Sequence, residues 1–280
     1  MSNFIINYDK VILNMSRFIM SCLLLSGVFG AFASIANDAV AQSSPASPTN
    51  LRIVENVPKI YPAQVLDLTN WKQTLPIGEQ ESPTEIRQPE LATYRLDPYF
   101  VVAPSGNAVL FRAPTDGITT SGSGYPRSEL REMMNNGSTN ASWSSTSGVH
   151  TMFIDQAIIT VPKTKKHVVA GQIHDANDDV IVIRLEYPKL FVDINGTDGP
   201  VLDANYVLGR RFTIKFESMG DGKIRIYYNG AATPAYTLTK NVSGCYFKAG
   251  VYTQSNCVKE PATCGSDSYG EVHIYALSVT

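Results

Sequence analysis

Three short stretches of the chain carry side chains that could do chemistry together. In Arg127-Ser128-Glu129-Leu130-Arg131, strand alternation puts Arg127, Glu129 and Arg131 on one face and Ser128 and Leu130 on the other. Two guanidiniums flanking a carboxylate form a positive comb whose members the carboxylate can hold in place. Arginine also grips a planar carboxylate through paired donors, which lysine cannot match. The same pattern suits a solvated salt-bridge ladder of little energetic weight. In Gly171-Gln172-Ile173-His174, Gln172 and His174 share a face while Ile173 points to the core side. A lone histidine is more often structural than chemical, so that pair is only suggestive. In the third stretch Tyr246, Lys248, Gly250, Tyr252 and Gln254 face one way, and Phe247, Ala249, Val251 and Thr253 the other. Glycine weakens a strand interior, so Gly250 suggests a surface that something approaches closely.

Taken together, the arginines and Gln172 can bind an acidic group, and His174 and Tyr252 can move protons. That is the equipment for abstracting a proton α to a carboxylate. The carboxylate must be neutralised first, because a second negative charge building on the neighbouring carbon is otherwise very costly. The chain carries no Gly-x-Ser-x-Gly nucleophile motif, no phosphate loop and no His-Glu-x-x-His metal site. No metal and no organic cofactor is expected.

The elements that must position these residues read as strands. Runs rich in β-branched and aromatic residues occur at Ala108–Arg112, Glu129–Met133, Thr151–Ile159, Val168–His174, Val180–Tyr187, Leu190–Ile194, Arg211–Ser218, Lys223–Tyr228, Tyr246–Thr253 and Glu271–Val279. Asp221-Gly222 and Asn229-Gly230 are hairpin dipeptides between such runs. Many short strands separated by turns predict an all-β antiparallel sandwich or barrel. Asp67–Lys72 reads as a short helical turn.

The chain has 280 residues, 44% of them hydrophobic, enough for a full core, and a net charge of -2. That balance gives no whole-molecule field for nucleic acid or a membrane surface, so a charged partner must be met by a local patch. At the N-terminus Arg17 precedes an apolar run ending in the small residues around Ala31-Phe32-Ala33, which reads as a secretory signal over residues 1–41, cut after Ala41. The run is short for a membrane anchor, the competing reading. Residues 1–14 can be an over-extended start, since Met15-Ser16-Arg17 would itself begin a compact signal. Residues 42–50 form a Ser/Pro linker, and one folded domain is expected over 51–280. Cys22 leaves with the signal. In an oxidising compartment Cys257 and Cys264 are the expected disulfide, with Cys245 a buried thiol; no Cys-x-x-Cys spacing supports zinc.

In order and without substitution, Arg127–Arg131, Gln172–His174 and Tyr246–Gln254 match an Arg-(Ser/Thr)-Glu-Leu-Arg strand, a Gln-(Ile/Val)-His strand and a Tyr-Phe-Lys-Ala-Gly-x-Tyr-x-Gln strand. The chain thereby resembles the alginate lyases of polysaccharide lyase family 7. The resemblance implies a jelly-roll β-sandwich of two antiparallel sheets, concanavalin A-like, with a concave substrate groove. It implies β-elimination at the 4-O-glycosidic bond of alginate; from the signal, a secreted monomer with no membrane contact after signal cleavage is expected. It further implies that Arg127, Gln172 and His174 neutralise the C5 carboxylate, that Tyr252 protonates the leaving O4, and that His174 takes the C5 proton of guluronate. For mannuronate Tyr252 would do both jobs. Glu129, Arg131, Tyr246, Lys248 and Gln254 would bind substrate, and Ile173 would accompany activity on guluronate-containing blocks. A lyase on another polyuronate such as glucuronan remains an alternative, as does a non-catalytic carbohydrate-binding sandwich.

Overall fold

The computed structural model describes residues 58–280; the expected signal, Cys22, the linker and the expected domain start at Leu51 lie outside the described residues. The strands in chain order are β1 (Trp71–Glu79), β2 (Ser82–Ile86), β3 (Phe100–Val102), β4 (Val109–Pro114), β5 (Arg127–Met134), β6 (Thr139–Asn140), β7 (His150–Thr160), β8 (His167–His174), β9 (Asp179–Glu186), β10 (Lys189–Ile194), β11 (Thr197–Asp203), β12 (Phe212–Ser218), β13 (Lys223–Tyr228), β14 (Tyr236–Thr239), β15 (Tyr246–Thr253) and β16 (Tyr269–Val279). They make two antiparallel sheets. One runs β11-β10-β9-β8-β15-β5-β1-β2, with β6 appended to β5, and the other runs β14-β13-β12-β7-β16-β4-β3.

The core lies between the sheets. Phe247, Ala249 and Val251 of β15 and Leu130 of β5 meet Ile154, Phe216 and Val272 of the second sheet. Each fully buried side chain of the size of Phe247 contributes roughly 1.5–3 kcal/mol. Period-two alternation on β5 and β15 then leaves the polar residues on the opposite face.

Strands β5, β15 and β8 are neighbours, so three stretches far apart in sequence become one surface. Lys248 pairs with Arg131 and Tyr252 with Arg127 across β15–β5. Tyr246 pairs with His174 and Lys248 with Gln172 across β15–β8.

Strand β8 reaches that surface through a bulge. Val168 and Ala170 are in the core, and so is Ile173. Unbroken alternation would therefore have sent Gln172 inward with Val168 and Ala170. An extra residue on β8, opposite the β9 register shift between Val169 and Gln172, resets the parity. Gly171 accommodates it at φ +98°.

Gly250 answers a different need from the one its sequence suggested. Its φ is +136°, and a Cβ there would lie 2.5 Å from the Ser128 carbonyl oxygen. What approaches Gly250 closely is the β5 backbone.

The expected helical turn at Asp67–Lys72 is not formed. The Asp67 carboxylate accepts the Thr69 N–H at 3.0 Å, a side-chain turn that leads into β1 at Trp71. Short 3-10 helices occur instead at Pro62–Gln64 and Glu90–Thr93. Cys257 and Cys264 are joined, with Cα atoms 4.8 Å apart. Cys245 is free and buried, and burial pushes its thiol up to about 12, which keeps it unreactive.

Candidate active site

Arg127, Arg131, Gln172, His174, Tyr246, Lys248 and Tyr252 line one groove of about 320 Å³ on the face of the first sheet turned away from the core. Glu129 lies beneath them, fully buried. Its Oε2 meets Lys248 Nζ at 2.6 Å and Arg127 Nη1 at 3.4 Å, and its Oε1 accepts from Gln172 Nε2 at 2.6 Å.

The pairing of Glu129 with two guanidiniums needs correction. Arg131 donates to the carbonyls of Glu132 at 2.6 Å and Ala141 at 3.2 Å, and its guanidinium lies 3.9 Å from the Tyr246 ring centre. Lys248 takes its place. Gly250 stands opposite Glu129 and carries no side chain, so the neighbouring Lys248 can reach the carboxylate. Nor is this a solvated ladder: the side chains of Lys248 and Arg127 are each only 9% exposed.

The cluster therefore holds two cations against one anion. A buried charge without a partner is expensive, so the set is electrostatically incomplete until another anion arrives. Arg127 Nε is buried with no hydrogen-bond partner. Burial, reinforced by the charge of Arg127, pulls Lys248 down from 10.5 to about 8. Burial would raise Glu129, but Lys248 and Arg127 outweigh it and hold the carboxyl below its ordinary value. The two shifts disagree about how well the pair suits its site. The position of Glu129 between two cations decides for an ionised carboxylate, and Lys248 is the member that gives up its charge first.

His174 is arranged as a neutral base. Its Nδ1 lies 2.6 Å from the Asp175 carbonyl oxygen. A carbonyl only accepts, so this contact assigns the proton to Nδ1 and leaves the Nε2 lone pair free. Burial pushes the imidazole below its ordinary 6.5, with Lys248 and Arg127 adding to the effect against the Asp175 contact. The Tyr246 ring stacks on it at 5.3 Å and 20°.

Tyr252 Oη sits 2.7 Å from Ser123 Oγ. The Arg127 guanidinium lies 3.9 Å over its ring, and Tyr125 meets it edge-on at 6.3 Å. One surface thus combines a receptor for an anion, an imidazole with a free lone pair and a phenol. Gln254 does not line it. The strand ends at Thr253, the Gln254 N–H is taken by the His167 carbonyl, and its side chain is buried with Nε2 unpartnered.

A family model described as alginate lyase matches residues 66–280. The chain belongs to the alginate lyase family. It is 55% identical to the family 7 alginate lyase AlgAT5, over 79% of this chain and 99% of that one, with a TM-score of 0.75. It is 49% identical to an alginate lyase from Corynebacterium sp., over 80% and 99%, with a TM-score of 0.77. A variant of the family 7 alginate lyase A1-II', solved in complex with substrate (GGMG), is 26% identical over 80% and 97%, with a TM-score of 0.66. The sandwich is the jelly roll of polysaccharide lyase family 7, and the protein is a polysaccharide lyase rather than a non-catalytic binding module.

The groove of this alginate lyase also takes in residues the three motifs do not contain. Lys72 and Thr74 come from β1, Glu85 from β2, Thr120 and Ser123 from the loop before β5, Asn177 and Asp178 from the β8–β9 turn, and Asp179 from the start of β9. Those on β1 were legible. In Trp71-Lys72-Gln73-Thr74-Leu75, Trp71 and Leu75 enter the core while Lys72 and Thr74 point out, a plain alternation. The loop residues carry no comparable local signal.

Proposed function

We propose that this alginate lyase cleaves within the chain, prefers guluronate-containing blocks and acts outside the cytoplasm, using Arg127, Gln172, His174 and Tyr252 at the reacting sugar. The observation that carries this reading is the buried cluster with one cation in excess, set beside a neutral imidazole and a phenol. Arg127 and Gln172 receive the C5 carboxylate, while the one N–H of neutral His174 is held by the Asp175 carbonyl. With its charge met, the carboxylate can accept the electron pair released when His174 Nε2 takes the C5 proton of guluronate. That pair then forms the C4–C5 double bond as the C4–O4 bond breaks, and Tyr252 gives its proton to the leaving O4. On mannuronate, proton and leaving group lie on the same side, and Tyr252 serves both. Arg131, Tyr246 and Lys248 line the flanking subsites, with Glu129 holding Lys248 and Arg127 in place.

Internal cutting fits the extent of the groove. Its lining runs from β2 to β9 across five strand spacings, roughly 24 Å at about 4.8 Å each and room for several sugars. Ile173 supports the guluronate preference through the family resemblance. It is wholly buried, so it can act only by setting Gln172 and His174. Residues 1–41 support export, with a mature chain beginning at Gln42.

Side-by-side digestion of guluronate-rich and mannuronate-rich alginate tests the reading. Viscosity is expected to fall early, with unsaturated oligomers of mixed length, and guluronate-rich polymer is expected to be consumed faster. Release of single unsaturated sugars from the outset, or faster mannuronate cleavage, would count against it. The same assay run against pH checks the base. His174 works only when neutral, and its pKa is lowered, so activity on guluronate should persist below pH 6.5 and fall only as the imidazole gains a proton at lower pH. An acidic limb of kcat/KM centred at or above 6.5 would contradict the lowered pKa of His174.

A further inference from the structure

The reaction on guluronate leaves Tyr252 as a phenolate and His174 as an imidazolium. Both must be reset before the next turnover, and the phenol cannot recover its proton from the C5 side. Its Oη touches Ser123 Oγ at 2.7 Å, the normal length of an O–H···O bond. We propose that Ser123 is the proton relay that resets Tyr252, an inference resting on Tyr252 being the acid.

The loop before β5 presents this hydroxyl in a defined way. Ser123 N–H donates to the Thr120 carbonyl at 3.0 Å, and Ser123 Oγ accepts from the Tyr125 N–H at 3.1 Å. One lone pair is thus taken. The hydroxyl hydrogen has two possible acceptors, the Tyr125 carbonyl at 3.4 Å and Tyr252 Oη at 2.7 Å, and the shorter is the phenol. The loop is pinned from the far side by Asn256 Nδ2, which donates to the Gly124 carbonyl at 2.7 Å. Gly122 and Gly124 on either side are exposed and Ser123 is half-buried, so water reaches its oxygen. While Tyr252 is a phenol, Ser123 can accept from it through the remaining lone pair. Once Tyr252 is a phenolate, which only accepts, Ser123 must donate.

The transfer balances. The Ser123 O–H bond breaks as the Tyr252 O–H bond forms, and Ser123 takes a proton from a solvent water. The hydroxide left behind is neutralised by the proton that His174 releases, so each turnover moves one proton from C5 to O4 with no net consumption. On mannuronate Tyr252 both takes the C5 proton and delivers it to O4, so nothing needs to cross Ser123.

That difference gives the test. Ser123→Ala is expected to lower kcat on guluronate-rich polymer on the order of tenfold, less than the roughly hundredfold or more that losing a directly acting acid or base costs, because water can replace the relay in part, with KM nearly unchanged and a smaller loss on mannuronate-rich polymer. Ser123→Thr, which keeps the hydroxyl, should restore guluronate turnover. Thermal unfolding of both variants controls for folding. Equal losses on the two polymers, a change confined to KM, no loss at all, or failure of Ser123→Thr to recover would overturn the relay. The parent reading fails separately. If Tyr252→Phe retains guluronate turnover, the acid assignment is wrong whatever Ser123 does; if Tyr252→Phe is inactive and Ser123→Ala is not impaired, only the relay falls.

Discussion

Tyr252→Phe is expected to lower kcat on alginate by about a thousandfold, the middle of the range for losing a positioned acid or base, while oligosaccharide binding changes little. The substitution removes only Oη. The ring that stacks under the Arg127 guanidinium and meets Tyr125 edge-on stays in place, and the anion receptor built from Arg127 and Gln172 is untouched. The loss should therefore fall on kcat and not on affinity, and on both block types, because the phenol delivers the proton to O4 in either case. Absorbance of the unsaturated product gives kcat, and calorimetric titration with a short uronate oligomer gives binding. A variant that turns over near the wild-type rate would remove the phenol from the mechanism.

Glu129→Gln is expected to be the most damaging change that touches no reacting atom. Glu129 is fully buried and compensates Lys248 and Arg127 together. Removing its charge leaves two buried cations side by side, and breaking a buried pair in this way costs about 3–5 kcal/mol. Part of that cost is relieved if Lys248, already drawn down to about 8, gives up its proton. Activity is lost either way, because the carboxylate receptor has moved or lost a charge. The sign of the pH dependence provides a second check. The Glu129 carboxyl is held below its ordinary 4.5 in the folded protein. Its stabilisation is therefore present above about 4.5 and is lost as pH falls through the lower folded value. Chemical denaturation at pH 7 and in that acidic window should show a large deficit for the variant at pH 7 that narrows in acid. A variant as stable as the wild type at pH 7 would mean the carboxylate is not compensating the cations.

The central strands were readable because each carries a chemical pattern and a core pattern at once. Lys223–Tyr228 and Tyr246–Thr253 match the sequence reading to the residue. The strands that went unread are mostly those at sheet edges: β2 and β11 flank one sheet, β3 and β14 the other. An edge strand needs only one neighbour and tolerates residues that argue against a strand. Pro83 in β2 and Pro200 in β11 are such residues. The β11 hairpin did leave a mark, since Asn195-Gly196 lies directly between β10 and β11 with φ values of +48° and +78°. The partner of Glu129 was not legible, because alternation says which residues share a face and not which of two cations reaches further. The Ser123 contact was hidden for a related reason: a loop residue meets Tyr252 across 129 positions of sequence with no periodicity to announce it.

The central claim is that Arg127, Gln172, His174 and Tyr252 converge on the C5 carboxylate and its neighbouring atoms. A crystal structure of Tyr252→Phe with a guluronate tetramer tests it most directly. The expected result places the carboxylate of the sugar at the cleavage point within hydrogen-bond distance of Arg127 and Gln172, with its C5 facing His174 Nε2 and its O4 beside the ring of residue 252. A bound oligomer whose carboxylates turn instead toward Lys72 and Arg131, with no sugar C5 near His174, would contradict it.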